Sequence, residues 1–207
     1  MNPPRKMPVQ LIPVEEVVHR ADDLARQIRA SDFRPDTIVA ITRGGFMPAR
    51  FLCDFLRVHK LLSLKVEHYT SGAREKQRAA VTIPLAGDVR GERVLLVDDV
   101  NDSGDTLVAA RPHLEGFQPA AVRTAVLHEK ASTQCPADFH SQAVQEWRWI
   151  LYPWAVIEDV GQFAREMDPP PTTATELRTR LQQDYGLELD AAQLDRVIRY
   201  NDLPFSA

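Results

Sequence analysis

The chain has 207 residues, 44% apolar and 26% charged, which is enough for one substantial α/β core with a small appendage. A formal net charge of -4 removes the overall basic field that non-specific nucleic-acid binding needs, whereas a small anionic ligand requires only a local site. The two cysteines, Cys53 and Cys135, lie far apart and outside any Cys-x-x-Cys pair, so neither a zinc cluster nor a disulfide scaffold is suggested, which fits a reducing cytosol. No apolar run approaches a membrane span and none follows the charged, proline-bearing residues 1–10, so a soluble, cytoplasmic protein with no membrane partner is expected.

After Pro13, the apolar residues Val17, Val18, Ala21, Leu24, Ala25 and Ile28 recur with helical period, which predicts an amphipathic helix. Thr37-Ile38-Val39-Ala40-Ile41 reads as a strand, Thr42-Arg43-Gly44-Gly45 as a turn, and residues 46–56 as a second helix. A second strand is expected over residues 63–68, a mobile polar loop over 70–78, and a third apolar run over 80–85. Val94-Leu95-Leu96-Val97 is unbroken in the manner of strands covered on both faces, and it is expected to stop at Asp98. Turn chemistry over 101–105, a helix over 106–114 and a strand over 122–127 complete the alternation, which implies an α/β fold. That fold is a central parallel sheet flanked by helices, with a small hood or lid region.

Pro169-Pro170-Pro171 favours an extended connector, so residues 1–168 are expected to form the main domain and residues 172–207 a C-terminal extension. Within the extension, residues 175–185 and 190–200 predict a helical hairpin with Leu177, Leu181, Leu194, Val197 and Ile198 as its apolar seam. Its acids outnumber its arginines, which disfavours a DNA-binding role.

The segment Asp98-Asp99-Val100-Asn101-Asp102-Ser103-Gly104-Asp105-Thr106 carries the strongest chemical signal. A turn with Ser103 and Gly104 ahead of a helix can aim backbone N–H groups at a phosphate, aided by the positive end of the helix dipole. The hydroxyls of Ser103 and Thr106 can add donors or cap the helix. Two adjacent carboxylates on an apolar strand repel one another unless ribose hydroxyls or a cation offset their charge. Strand neighbours point to opposite faces, so Asp98 and Asp99 are expected to have different partners. Few oxygen ligands suit magnesium, which keeps waters and is shared with substrate phosphates.

This segment resembles the signature of the type I phosphoribosyltransferases. The resemblance implies that Asp98 and Asp99 contact the ribose hydroxyls of 5-phosphoribosyl 1-pyrophosphate (PRPP), directly or through Mg2+, and that residues 102–106 cradle its 5-phosphate. It makes Asp102 the catalytic residue, placed near purine N7 to exchange a proton. Asp105 departs from the lysine that many relatives carry. Thr42-Arg43-Gly44-Gly45 resembles the family's pyrophosphate loop, with Arg43 and Gly44 at the leaving group. His68, Tyr69 and the polar loop after them occupy the place of the family's lid, whose closure excludes water.

Lys130 and Trp149-Ile150-Leu151-Tyr152-Pro153-Trp154 resemble the 6-oxopurine branch, which implies that Lys130 reads the 6-oxo group, Trp149 stacks on the base and Ile150 offers backbone atoms. Leu151 and Ala155 stand where bacterial xanthine-guanine enzymes have acids, so the choice among hypoxanthine, xanthine and guanine stays open. The implied reaction moves the phosphoribosyl group of PRPP to N9 of such a base in purine salvage, and the implied assembly is a homodimer with no nucleic-acid partner. A PRPP sensor of the same fold is the alternative, as is a transferase for a pyrimidine base, the latter opposed by Lys130 and the tryptophan segment.

Overall fold

The computed structural model describes residues 7–70 and 77–205. By contact the chain divides into two compact units, residues 15–146 and residues 1–14 together with 147–207. Among the described residues, no helix is long and apolar enough to cross a membrane.

The larger unit is built on a six-stranded sheet of order β4-β3-β2-β5-β6-β7. Its strands are β2 (Thr37–Thr42), β3 (Lys60–Thr70), β4 (Gln77–Ile83), β5 (Arg93–Asn101), β6 (Ala121–Lys130) and β7 (Phe139–Val144). Every pairing is parallel except that of β3 with β4, which form an antiparallel hairpin at one edge. The helices are α1 (Val14–Ala30), α2 (Phe46–Leu56) and α3 (Asp105–Glu115). The helix expected over 46–56 forms over that span, and α1 buries Val17, Ala21, Leu24, Ala25 and Ile28, the stripe its period predicts.

Alternation along the strands explains the layers. Val94 and Leu96 of β5 share an apolar cluster with Val39 and Ile41 of β2 and with Leu107, Ala110 and Leu114 of α3. Leu95 and Val97, equally inaccessible to solvent, point to the other face. One expectation is corrected here: β5 does not stop at Val97 but runs on through both aspartates to Asn101. Its neighbour β6 stays in register that far, pairing Val100 with His128 and Asn101 with Glu129, and so supplies backbone partners for the acidic residues' strand. On the opposite side β2 pairs with β5 only from Thr37↔Val94 to Ala40↔Val97. The chain therefore parts between the carboxyl ends of β2 and β5. The strand order also reverses there, since β2 leads to β3 on one side and β5 lies on the other, and a ligand crevice belongs at such a switch point.

At the two ends of the loop expected over 70–78, residue 70 belongs to β3 and residues 77–78 to β4, with Thr70 opposite Gln77. Residues 71–76 and the side chain of Tyr69 lie outside the described residues.

The smaller unit pairs β1 (Val9–Leu11) in parallel with β8 (Trp149–Leu151), two short strands with no clear signal in the sequence. It continues through α4 (Val156–Glu166), α5 (Ala174–Arg180), a π-helical turn (Leu181–Tyr185) and α6 (Ala191–Tyr200). The seam residues Leu177, Leu181, Leu194, Val197 and Ile198 are buried, but together with Leu151, Val156, Val160, Phe163 and Met167 rather than against one another alone. Asp190 caps α6 with a reciprocal capping box, its side chain taking the Gln193 N–H while the Gln193 side chain takes the Asp190 N–H. Thr173 caps α5 by accepting from the Glu176 N–H.

Candidate active site

Two carboxylates sit side by side on the last residues of β5. Asp98 continues the Val94 and Leu96 face and is only 9% exposed, while Asp99 is less deeply covered. Asp98 accepts the Asp99 N–H at 3.0 Å, and Asp99 accepts the Val100 N–H at 2.8 Å. Burial, and then the neighbouring charge of Asp99, push the Asp98 carboxyl well above the usual carboxylate range.

Gly44 lies directly against the Asp99 carboxylate, so that a Cβ at this position would overlap it. The glycine in the turn after β2 is thereby explained by close approach to β5, a use that the sequence alone did not reveal. Arg43 is exposed beside it, and the Thr42–Arg43 peptide is cis.

From Asn101 the chain turns through Asp102 and Ser103 to Gly104, which stands at the head of α3 with φ of 95°, a conformation that favours glycine. The N-cap position of α3 is Gly104 itself, so neither Ser103 nor Thr106 occupies it. Instead the Ser103 hydroxyl donates to Asp105 Oδ2 at 2.8 Å and receives the Asp105 N–H at 3.3 Å. Thr106 Oγ1 lies 3.4 Å from Nε2 of His68, which brings the stem of the hairpin to the first turn of α3. The turn is backed by the segment after β6, where the Gln134 N–H donates to the Ser103 carbonyl at 2.9 Å.

Lys130 ends β6 and is buried, with Nζ 2.6 Å from Asp102 Oδ2. The Ser132 hydroxyl donates to the other oxygen of that carboxylate at 3.1 Å. An ammonium and a carboxylate are thus presented as neighbours beside the turn that precedes α3, an arrangement hidden in the sequence by a separation of 28 positions.

In the smaller unit, Trp149 is 36% exposed and its indole N–H donates to Asp159 Oδ2 at 2.7 Å. Ile150 is buried and pairs with Gln10. Leu151 is fully buried, and Tyr152 stacks on Trp154 with ring centroids 4.8 Å apart. A concavity of about 650 Å³ in this unit is lined by Arg178, Gln182, Glu188, Leu189 and Asp190 among others, and none of the adjacent acids of β5 reaches into its lining. Chemistry, rather than volume, marks the crevice of the larger unit.

Residues 11–158 match the family model of the phosphoribosyl transferase domain. The chain belongs to the phosphoribosyltransferase family. Among the relatives of this phosphoribosyltransferase, a hypoxanthine phosphoribosyltransferase of Escherichia coli strain K12 is 33% identical over 126 residues, spanning 59% of this chain and 71% of that one. A xanthine-guanine phosphoribosyltransferase of Ruegeria sp. strain TM1040 is 31% identical over 147 residues, 66% of this chain and 80% of the relative. The solved purine phosphoribosyltransferase of Pyrococcus horikoshii superposes with a TM-score of 0.62 at 28% identity, covering 72% of this chain and 94% of that structure. The mixed α/β architecture of this phosphoribosyltransferase, with its mostly parallel sheet, is that of the family.

Proposed function

We propose that this phosphoribosyltransferase transfers the phosphoribosyl group of PRPP to N9 of a 6-oxopurine, and the observation that carries the reading is the Asp102–Lys130 pair at the phosphate turn. On a 6-oxopurine, N7 and the 6-oxo group are adjacent. A carboxylate that exchanges a proton with N7 and an ammonium that donates to the oxo oxygen therefore have to be neighbours, as Asp102 and Lys130 are. The names of the relatives, for hypoxanthine and for xanthine and guanine, agree with that assignment.

In the proposed reaction purine N9 attacks C1 of the ribose, the N9–C1 bond forms, and the bond from C1 to pyrophosphate breaks with its electron pair leaving on the pyrophosphate. Asp102 takes up proton density at N7 as N9 becomes nucleophilic. Backbone N–H groups of residues 103–106 and the head of α3 hold the 5-phosphate, with Ser103, Gly104, Asp105 and Thr106 shaping that subsite. Arg43 and Gly44 face the pyrophosphate, whose binding and orientation supply much of the rate. His68 and Tyr69 belong to the lid, while the roles of Trp149 as stacking partner and Ile150 as backbone contact rest on the likeness of their segment.

Asp98 and Asp99 would hold Mg2+ together with oxygens of PRPP and water. The donor set fits: it is all oxygen, and no group of three or more His, Cys, Asp or Glu among the described residues could hold a metal by itself, as suits an ion shared with substrate. The ion, when bound, supplies the charge offset that the buried Asp98 requires.

The test is pyrophosphate release with PRPP, Mg2+ and a panel of free bases. Release with hypoxanthine, xanthine or guanine is expected. PRPP binding without turnover of any base would instead support a sensor, and turnover confined to a pyrimidine would move the base assignment.

A further inference from the structure

Behind the phosphate turn lies a set of buried polar contacts that the reaction as described does not use. Asn101 is 3% exposed, and its amide donates to Glu129 Oε2 at 3.1 Å and to the Cys135 carbonyl at 2.8 Å. The same Glu129 oxygen receives the Ala137 N–H at 2.6 Å, and the other carboxylate oxygen lies 3.4 Å from His140 Nδ1. Asn101 and Glu129 are direct register partners on β5 and β6. Each is followed by one member of the Asp102–Lys130 pair, so the link sits immediately before both strands deliver those side chains.

The link also reaches the phosphate turn from beneath. Cys135, whose carbonyl Asn101 holds, presses on Gly104, since a Cβ added to that glycine would stand 2.7 Å from the Cys135 N and 2.8 Å from its Cβ. One residue earlier, the Gln134 N–H holds the Ser103 carbonyl at 2.9 Å. Segment 131–138 is thus a floor under residues 103–104, and Asn101 and Glu129 fix it at both Cys135 and Ala137. Backbone donors aimed at a phosphate act well only when they are held in place before the ligand arrives.

We propose that Asn101 and Glu129 are positioning residues of this enzyme, a buried clamp that holds the floor of the 5-phosphate turn. The inference rests on the PRPP reading above. Neither residue touches substrate. Their effect falls on PRPP rather than on the base, because the floor meets Ser103 and Gly104, whereas Lys130 keeps its place through the backbone ladder of β6. Acceptor capacity on Glu129 matters rather than charge, since its two closest partners are N–H groups.

The experiment compares Asn101→Ala, Glu129→Ala, the double variant and Glu129→Gln by steady-state kinetics, with amide hydrogen exchange over residues 102–106 in the ligand-free protein. Each alanine variant is expected to raise the KM for PRPP about tenfold, as loss of a buried hydrogen-bonding partner does, while the KM for the base changes by less than about twofold. The double variant is no worse than the poorer single one, because both remove one link. Glu129→Gln, whose amide oxygen accepts both N–H groups, stays near wild type, and exchange over 102–106 accelerates in the alanine variants alone. Should either alanine variant not fold, the isosteric Asn101→Asp, which sets a carboxylate against Glu129 and the Cys135 carbonyl, is expected to raise the PRPP KM in its place. Wild-type turnover with unchanged PRPP KM in the variants overturns the clamp and leaves the PRPP reading standing. Equal rises in both KM values, additive effects, or a Gln variant as poor as the Ala variant overturn it as well. A wild-type protein that does not bind PRPP removes the reading and the clamp together.

Discussion

The two compact units bury different kinds of side chain. In residues 15–146 the buried set includes Thr37, Asp98, Asn101, Thr124, His128 and Lys130, whereas in the described part of residues 1–14 and 147–207 no buried side chain is polar beyond the tyrosines Tyr152 and Tyr185. Burying a polar group is costly unless it is paired, so a fold tolerates it where something else is gained. Four of those six residues stand on the last five positions of β5 or the last three of β6, the strands that open into the crevice. The contrast separates a unit that buries polar groups near the carboxyl ends of its central strands from one organised as apolar packing around Phe163, Tyr185 and Val197.

The sharpest test of that contrast is Asp102→Asn. It is expected to lower kcat by about 10²–10⁴ while changing PRPP affinity far less, because what is lost is proton exchange rather than a phosphate contact. Equal loss in turnover and in PRPP affinity, measured by steady-state kinetics and calorimetry, would count against the role assigned to Asp102.

Next in size is Phe163→Ala in the apolar unit. Phe163 stacks on Tyr185 with centroids 4.5 Å apart and is 5% exposed, so its removal is expected to cost about 3–5 kcal/mol in unfolding free energy with little change in PRPP affinity. A variant of unchanged stability that had lost PRPP binding would erase the distinction between the units.

Gly44→Ala places a methyl group where the Asp99 carboxylate lies. Overpacking of this kind costs about 1–3 kcal/mol, so the unfolding free energy is expected to fall by about that amount and the KM for PRPP to rise with it, because the displaced carboxylate belongs to the proposed site. An unchanged KM would show that the contact between the turn and β5 has no bearing on the ligand.

The smallest effects lie in the pH dependence of stability, where two buried groups of the larger unit act with opposite sign. The Asp98 carboxyl is raised above its ordinary 3.8, so its contribution is present at low pH and lost as the pH climbs from that value through the raised one. His128, fully buried, has its pKa lowered to about 4 by burial and then by the charge of Arg20, so its contribution is present above 6.5 and lost as the pH falls from there toward 4. Unfolding curves of Asp98→Asn and His128→Gln from pH 4 to 8 are expected to differ from wild type in opposite directions, each by no more than about 1.4 kcal/mol per pH unit. Parallel curves for all three proteins would remove both groups from the account.

Much of the architecture was legible because period and punctuation agree along the chain. Helix α2 occupies the span that its pattern and the glycines before it set, and α1 and α6 bury the residues that their periodicity selects. The short strands β1 and β8 were not, because three residues contain too little alternation to register and their pairing joins positions about 140 apart. The end of β5 was misjudged for a related reason: two aspartates look like a strand terminus, yet β6 offers backbone partners as far as Asn101. In the site, the acid pair and the phosphate turn are contiguous and could be read directly. Asn101 and Glu129 could not, since each is unremarkable in its own segment and acquires meaning from its partner across the sheet.

By itself the sequence determined the α/β alternation, the acid pair and the glycine-bearing turn ahead of a helix, because these depend on residues near one another in the chain. Tertiary structure alone decided that Lys130 meets Asp102, that Gly44 makes room for Asp99, and that the C-terminal helices share a core with Leu151 and α4. The physical reason is common to all three. Strand register and close packing bring distant residues within a few ångströms of each other, and neither local propensity nor hydrophobic period carries information about which distant residue that will be.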